Sequence, residues 1–548
     1  MKLKSCIAAA SLAGAMTFTA ACSGADTGSP TGNGAAVDAS KLKLTPTTAK
    51  ATGAVASVNW LLADEPESLD LDTQGGTAGR TVLSNVCERL YQLQPDMSVR
   101  PSLVAKQSRP DAKTLVLTLR EGVTFHDGSP MTADDVLFSL RRHAEPEMEQ
   151  SDEFGNVDKM AKTADREITV TFKQPDALFT KALAGDAGLV YNAEQVEKAG
   201  DDFGTPGQGD ACSGPYELSG WKSGDSITLT AADSYWGQKP LTRKVVFHWA
   251  DDSAMVNALT TGAADGAYAD TPGGAAALRG KAGLEQHYGP STATLALMPT
   301  ERGGLADPGI RRALSLALDR AGIAKSGYGG LAEPWATPVG SGSWGYEKAT
   351  FAAAQKKLTE APATPDEKDI ATAKELVKKA GAAPDGPIVI GTDSTQGRLV
   401  IANAVRAALA KIGLEGQIKT LPSSAYQEAY GDKGARADFD VLVADWYISK
   451  SDPIGFYDNA LSDSSNNWVG FKSAGYDTKV EEALRTIDDR KRAALVVDIQ
   501  RQFADAAVWI PVAQTPTVLT LSSKLTGPPA SMAYLYSPWA AELGAKKG

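Results

Sequence analysis

The stretch Asp438–Pro453, DFDVLVADWYISKSDP, carries the residue types best suited to holding a small molecule. The run Val441-Leu442-Val443-Ala444 predicts a buried strand. It leads into Asp445, Trp446 and Tyr447 and then into a polar turn that ends Ser449-Lys450-Ser451-Asp452-Pro453. Flat aromatic surface beside hydrogen-bonding groups suits a pocket wall, where rings supply contact area and polar atoms set orientation. The chemistry this suggests is binding rather than catalysis. There is no GxSxG, and the SxxK of Ser219-Gly220-Trp221-Lys222 lacks a KTG companion and falls in a short turn between expected strands. His126, His143, His248 and His287 stand apart in the sequence, so no general-base constellation can be assembled, and with no CxxC nothing suggests zinc. We expect no enzyme, no metal and no cofactor.

The elements that must position such a wall are marked by local signals. Leu115, Leu117 and Leu119 alternate along one face of a strand. His126-Asp127-Gly128-Ser129-Pro130 is turn chemistry, in which His126 and Asp127 are read as turn-formers rather than ligands. Thr132 with Asp135 predicts a capping box for a helix whose apolar stripe is Val136, Leu137 and Leu140. Thr81–Tyr91 reads as a helix carrying Cys87, and Ile168–Phe172, Ser226–Thr230 and Lys244–Trp249 read as strands. Asp307-Pro308 opens a helix in which Arg311 and Arg312 are expected to be exposed or salt-bridged. Thr359–Asp369 reads as a loop, followed by helices at Ala371–Lys379, Leu399–Ile412, Thr478–Ile487 and Lys491–Phe503, with strands at Ile388–Ile390 and Ile510–Leu521. Helices interleaved with strands point to an α/β fold.

Several strings match one known family. LREGVTFHDGSPMTADDVLFSL (Leu119–Leu140), YWGQKP (Tyr235–Pro240) and IRRALSLALDR (Ile310–Arg320) resemble the family 5 solute-binding proteins of bacterial ABC importers, the dipeptide- and oligopeptide-binding group. The resemblance runs from about residue 58 to 540. It implies a two-lobed periplasmic-binding-protein-like fold (type II, cluster C) with an extra sub-domain in lobe one. Lobe one would span 57–292, with the sub-domain at about 90–210, lobe two 293–509, and 510–548 would return to lobe one. Hinges would lie near Ala293–Met298 and Ile510–Gln514. The function implied is capture of a peptide or peptide-like solute between closing lobes and its delivery to a separate permease and ATPases. By the same resemblance Glu65, in the loop Glu65-Pro66-Glu67-Ser68-Leu69-Asp70, is a candidate ligand contact. The family's WxxD places an amine-binding Asp three residues after the Trp; here that position is Ser449. Either another acid (Glu65, Asp445 or Asp452) takes its place, or the solute has no free α-amine there. An oligosaccharide stacking on Trp446 is the alternative ligand, and an exported serine acyl hydrolase is the contrasting class.

Composition sets the compartment. The chain has 548 residues and a formal charge of −11, which becomes −13 if residues 1–21 leave with Lys2 and Lys4. That disfavours nucleic acid as a partner. Lys2 and Lys4 followed by a short, mostly apolar stretch read as a secretion signal over 1–21, too short to span a membrane. Thr19-Ala20-Ala21-Cys22 resembles a lipobox with Thr19 in place of the usual Leu, so Cys22 is read as lipidated, plain secretion being the alternative. Lipid would anchor a monomer on the extracytoplasmic face of the membrane. Residues 22–56 read as a flexible tether. Cys87 and Cys212 remain, as a disulfide or as two buried thiols.

Overall fold

The structure is a computed structural model that describes residues 42–547 apart from 209, 270–271 and 382–385. The expected signal over 1–21, the lipidated Cys22 and the tether as far as residue 41 lie outside the described residues.

Two mixed sheets dominate. In order, the seven-stranded sheet is Leu284–Gly289, Thr517–Ser522, Gly266–Ala269, Val58–Leu62, Lys244–Trp249, Ser226–Ala231 and Tyr216–Lys222. The six-stranded sheet is Glu333–Pro334, Ile510–Gln514, Thr294–Pro299, Val441–Trp446, Ile388–Thr392 and Gly416–Thr420. Successive side chains of a strand face opposite sides of its sheet. Accordingly Leu295, Leu297, Val441 and Val443 join one apolar cluster, while Ala296, Met298, Leu442 and Ala444 join another on the opposite face. Both faces are covered, which is why these strands read as continuous apolar runs rather than alternating ones.

A four-stranded antiparallel sheet forms a smaller unit attached to the first lobe, with its strands ordered Val104–Asp111, Thr114–Leu119, Glu167–Phe172 and Val157–Ala164. Leu115, Leu117 and Leu119 are buried on one face with Ile168, Val170 and Phe172, and the helix Ala133–His143 supplies Val136, Leu137 and Leu140 to the same cluster. That helix starts with the expected capping box between Thr132 and Asp135. Asp127 Oδ1 accepts from the Ser129 N–H at 2.9 Å, as a turn-former does. His126 does more than turn the chain: Nδ1 meets Asp210 at 2.5 Å and Nε2 meets the Gly214 carbonyl at 2.9 Å, fastening the motif to a distant segment.

The chain passes from the first sheet to the second between Gly289 and Thr294, and back between Gln514 and Thr517. The return therefore begins after Gln514 rather than at Ile510, because Ile510–Gln514 pairs with Thr294–Pro299 inside the second sheet. Thr292, in the first crossing, donates its hydroxyl to the Ile448 carbonyl at 2.8 Å and so ties that crossing to the loop after Trp446.

Other expectations need correction. The tether does not extend to residue 56. The Val55 N–H donates to the Leu241 carbonyl at 2.9 Å, the Ala545 N–H donates to the Gly53 carbonyl at 2.9 Å, and the Thr48 hydroxyl donates to the Pro528 carbonyl at 2.9 Å. These bonds run mostly through backbone, so a segment poor in apolar side chains is still docked. Arg311 is neither exposed nor salt-bridged. It is 3% exposed and donates to the carbonyls of Leu305, Ala306, Ala506 and Ala507 at 2.8–2.9 Å, the last two at the C-terminal end of the helix Asp489–Ala506. A cation is favoured there by the unpaired carbonyls of a helix end. The loop expected over Thr359–Asp369 ends at Asp366, which opens the helix Glu367–Lys379 through a capping box with Asp369. The first helix spans Thr77–Val86 and stops just before Cys87. Cys87 and Cys212 are disulfide-bonded in the structure, with Cα atoms 4.7 Å apart.

Candidate functional site

A cavity of about 660 Å³ lies between the two lobes. Its first-lobe side is made by Arg80 on the helix Thr77–Val86, the turn around Glu149–Glu153, Ala182, Gly185, Asp186 and Tyr536. Its second-lobe side is made by Arg398, Tyr426, Gln427 and Tyr430 on two helices, the stretch Asp445–Lys450, and then Gly455, Asp458, Asn459 and Asn466. The size is that of pockets that enclose drug-sized molecules or short peptides. Aromatic rings and charged groups share the wall.

The expected wall is built as the sequence suggests up to Lys450 and then diverges. The strand Val441–Trp446 buries its first four residues and brings Asp445 and Trp446 out at its end. Trp446 is half-buried: Tyr430 stacks on it with centroids 6.3 Å apart, and Trp509 meets it edge-on at 5.2 Å. Tyr447 is 48% exposed, and its hydroxyl accepts from Arg80 Nη1 at 3.3 Å, a bond that reaches across the cavity. Ser449 is half-buried and lines the same wall.

Asp452 does not line the cavity. It is fully buried, where Lys181 and Arg492 pair with its carboxylate and the Tyr346 hydroxyl donates to it at 2.9 Å. Burial opposes that charge, and Lys181 and Arg492 more than offset it, so the carboxyl is held below its usual range. Both oxygens of Asp452 are engaged inside the protein. Glu65 is also elsewhere: it accepts from Trp221 Nε1 at 2.9 Å and from the Gly224 N–H at 3.0 Å. Ser219 and Lys222 form no dyad. The Ser219 hydroxyl donates to the Thr228 carbonyl at 3.1 Å, and Lys222 sits 3.4 Å from Asp225.

Every cation in the cavity wall is already paired. Arg80 meets Asp186 at 2.5 Å, and Arg89 holds the other oxygen of Asp186 at 3.1 Å. Arg398 donates to Asp445 and, at 2.7 Å, to Asp393, with its guanidinium 4.7 Å from the Tyr426 ring centre. Lys450 reaches both oxygens of Glu153, at 2.5 and 2.6 Å. The Lys450–Glu153 and Lys181–Asp452 pairs each join the second lobe to the unit carrying the four-stranded sheet.

Asp445, Trp446, Tyr447 and Ser449 are thus brought together, while Glu65 and Asp452 are placed outside the wall. Sequence reasoning missed Arg80, Asp186, Arg398, Tyr430 and Tyr536, which come from remote elements without a local signature. It also missed Asp458, whose signal was nearness: it directly follows the one-turn helix Ile454–Tyr457, which opens just after Asp452.

Comparison with known proteins is consistent with this architecture. The family model of bacterial extracellular solute-binding proteins, family 5 (middle), matches residues 98–468. The chain is 27% identical over 478 residues to the glutathione-binding protein GsiB of Salmonella typhi, an alignment covering 84% of this chain and 89% of that protein. Among solved structures, the ABC transporter substrate-binding protein CtaP of Listeria monocytogenes superposes with a TM-score of 0.77 at 21% identity, over 90% of this chain and 100% of that one. The oligopeptide-binding protein AppA of Bacillus subtilis, solved in complex with a nonapeptide, gives 0.71 at 20% identity, again over 90% and 100%. At such identities the likeness establishes the fold, which is α/β and two-lobed. Among the described residues no helix is long and apolar enough to cross a membrane.

Proposed function

The chain belongs to the bacterial extracellular solute-binding proteins of family 5, and from that premise we propose that it captures a peptide or peptide-like solute for an ABC importer. The solute is held between the lobes and passed to a membrane permease driven by separate ATPase chains. No reaction is catalysed. The mature protein works as a monomer held on the outer face of the membrane by lipid on Cys22, after residues 1–21 are removed. The observation that carries this reading is the interlobe cavity of about 660 Å³, whose wall mixes exposed aromatic surface with fixed charges. A peptide needs both, for its side chains and for its backbone and termini. The names of GsiB and of AppA in its nonapeptide complex support the ligand class.

The solute shifts a population. It favours the closed arrangement only by the difference in its affinity for closed and open forms. The crossings at 290–293 and 515–516 are the segments about which the lobes close. An oligosaccharide is the weaker reading, because Tyr430 covers one face of Trp446 and Trp509 packs against it edge-on, leaving little of the ring for stacking a sugar.

Thermal unfolding in the presence of pools of short peptides and of oligosaccharides tests the proposal. A bound solute at 100 times its dissociation constant stabilises by about 2.7 kcal/mol, so a peptide pool is expected to raise the unfolding temperature by a few degrees. A shift with oligosaccharides alone, or with neither pool, contradicts it.

A further inference from the structure

We propose that His143 is a buried imidazolium whose proton positions the first-lobe wall of the cavity for the solute. This rests on the preceding reading of the cavity as the solute site. His143 closes the helix Ala133–His143 and is fully buried. Its Nδ1 lies 2.6 Å from Asp72 Oδ1, and its Nε2 lies 2.8 Å from the Leu189 carbonyl. A carboxylate and a carbonyl only accept hydrogen bonds, so both ring nitrogens donate, and a ring that donates twice is cationic. The other oxygen of Asp72 pairs with Arg142, which also forks onto Asp70 at 2.6 and 3.0 Å. Two carboxylates are thus balanced by two cations. Taking the proton from His143 leaves one cation for both carboxylates and turns a ring lone pair toward an acceptor, each costly away from water.

Both partners of His143 continue into the cavity wall. The Asp72 carbonyl accepts from the Glu149 N–H at 2.8 Å, and the neighbouring Leu71 carbonyl accepts from Gln150 Nε2 at 3.4 Å. Glu149 and Gln150 line the cavity. The Leu189 N–H donates to the carbonyl of Asp186 at 3.1 Å, and Asp186 lines the same wall. His143 touches no solute itself; it is a positioning residue that acts through segments 70–72 and 186–189. Losing its proton loosens both segments at once and shifts the surface that the solute meets.

The titratable and charged groups against His143 are Asp72, Arg142 on its own helix and Tyr191, edge-on at 5.8 Å, with Asp70 behind Arg142. Burial and Arg142 oppose the imidazolium, and Asp72 and the Leu189 carbonyl outweigh them, so the ring titrates above its usual range. Its contribution is therefore complete below the unfolded value of about 6.5 and is lost as pH rises through the higher folded value. Solute affinity carries the same sign, full at neutral pH and declining in alkali. His126 supplies an internal reference. Both of its nitrogens are also engaged, by Asp210 and the Gly214 carbonyl, with Glu217 and Glu88 as the further charges near it, and neither partner lines the cavity.

The test follows the histidine ring nitrogens of isotope-labelled protein by NMR from about pH 6 to about pH 10, without and with a saturating pool of tripeptides. His143→Gln assigns the His143 signals by their loss; if that variant fails to fold, His126→Gln, His248→Gln and His287→Gln assign them by elimination. The expected result is a His143 ring protonated on both nitrogens at neutral pH. Peptide is expected to raise its titration midpoint by about one pH unit, the reciprocal of a roughly tenfold preference of the solute for the protonated form, while His126 does not move. A buried ion pair with a structural role alone would titrate without responding to peptide. A neutral His143 ring at neutral pH, or a midpoint that stays put although calorimetry shows the pool bound, overturns the assignment and leaves solute capture standing. Calorimetric binding of no peptide at any pH overturns both.

Discussion

Asp452→Ala is expected to lower the unfolding free energy by about 3–5 kcal/mol, the cost of breaking a buried ion pair from one side. The measurement is the denaturant midpoint at unchanged slope. The magnitude follows from what the substitution strands. Asp452 is fully buried and is the shared partner of Lys181, Arg492 and the Tyr346 hydroxyl, and it also accepts from the Ile454 N–H at 3.2 Å. Removing it leaves Lys181 without its ion-pair partner in a desolvated position, and Arg492 with only Asp489. The pH dependence has a definite sign. The folded carboxyl titrates below its usual range, so its contribution is complete above the unfolded value of about 3.9 and disappears as pH falls through the lower folded value. Wild type and variant should therefore converge in acid. A loss of ligand affinity with no loss of stability would return Asp452 to the binding site.

Tyr447→Ala is expected to do the reverse: weaken solute binding about 30-fold, or about 2 kcal/mol, with stability changed by less than about 0.5 kcal/mol. Tyr447 is 48% exposed and, among the described residues, its side chain makes one hydrogen bond, the long one from Arg80, so little of the fold depends on it. It is also the large side chain most open to an incoming solute. Trp446 is a poorer probe, because Tyr430 and Trp509 pack against it and its removal would disturb the second lobe as well as the site. Titration calorimetry with the peptide that stabilises the wild type most gives the affinity. An unchanged value would place the solute away from the Arg80–Tyr447 contact.

What could be read from the sequence was what is local. The strand Thr114–Leu119 and the Thr132–Asp135 capping box each depend on residues within a few positions of one another. The pocket wall from Asp445 to Ser449 was legible for the same reason, since a buried strand delivers its terminal residues together. Asp452 was misread because nothing near it in sequence reveals that Lys181 and Arg492 converge on it. Arg311 was misread because two of its four carbonyl partners lie at a helix end nearly two hundred residues away. The docking of residues 45–55 was invisible because it runs largely through backbone bonds, which composition does not report.

The most direct test of the account is the crystal structure of the protein grown with the peptide that raises its unfolding temperature most. The account predicts peptide density between the lobes, in contact with Tyr447. Density for the bound peptide on an outer face, with the interlobe cavity free of it, would contradict the central claim.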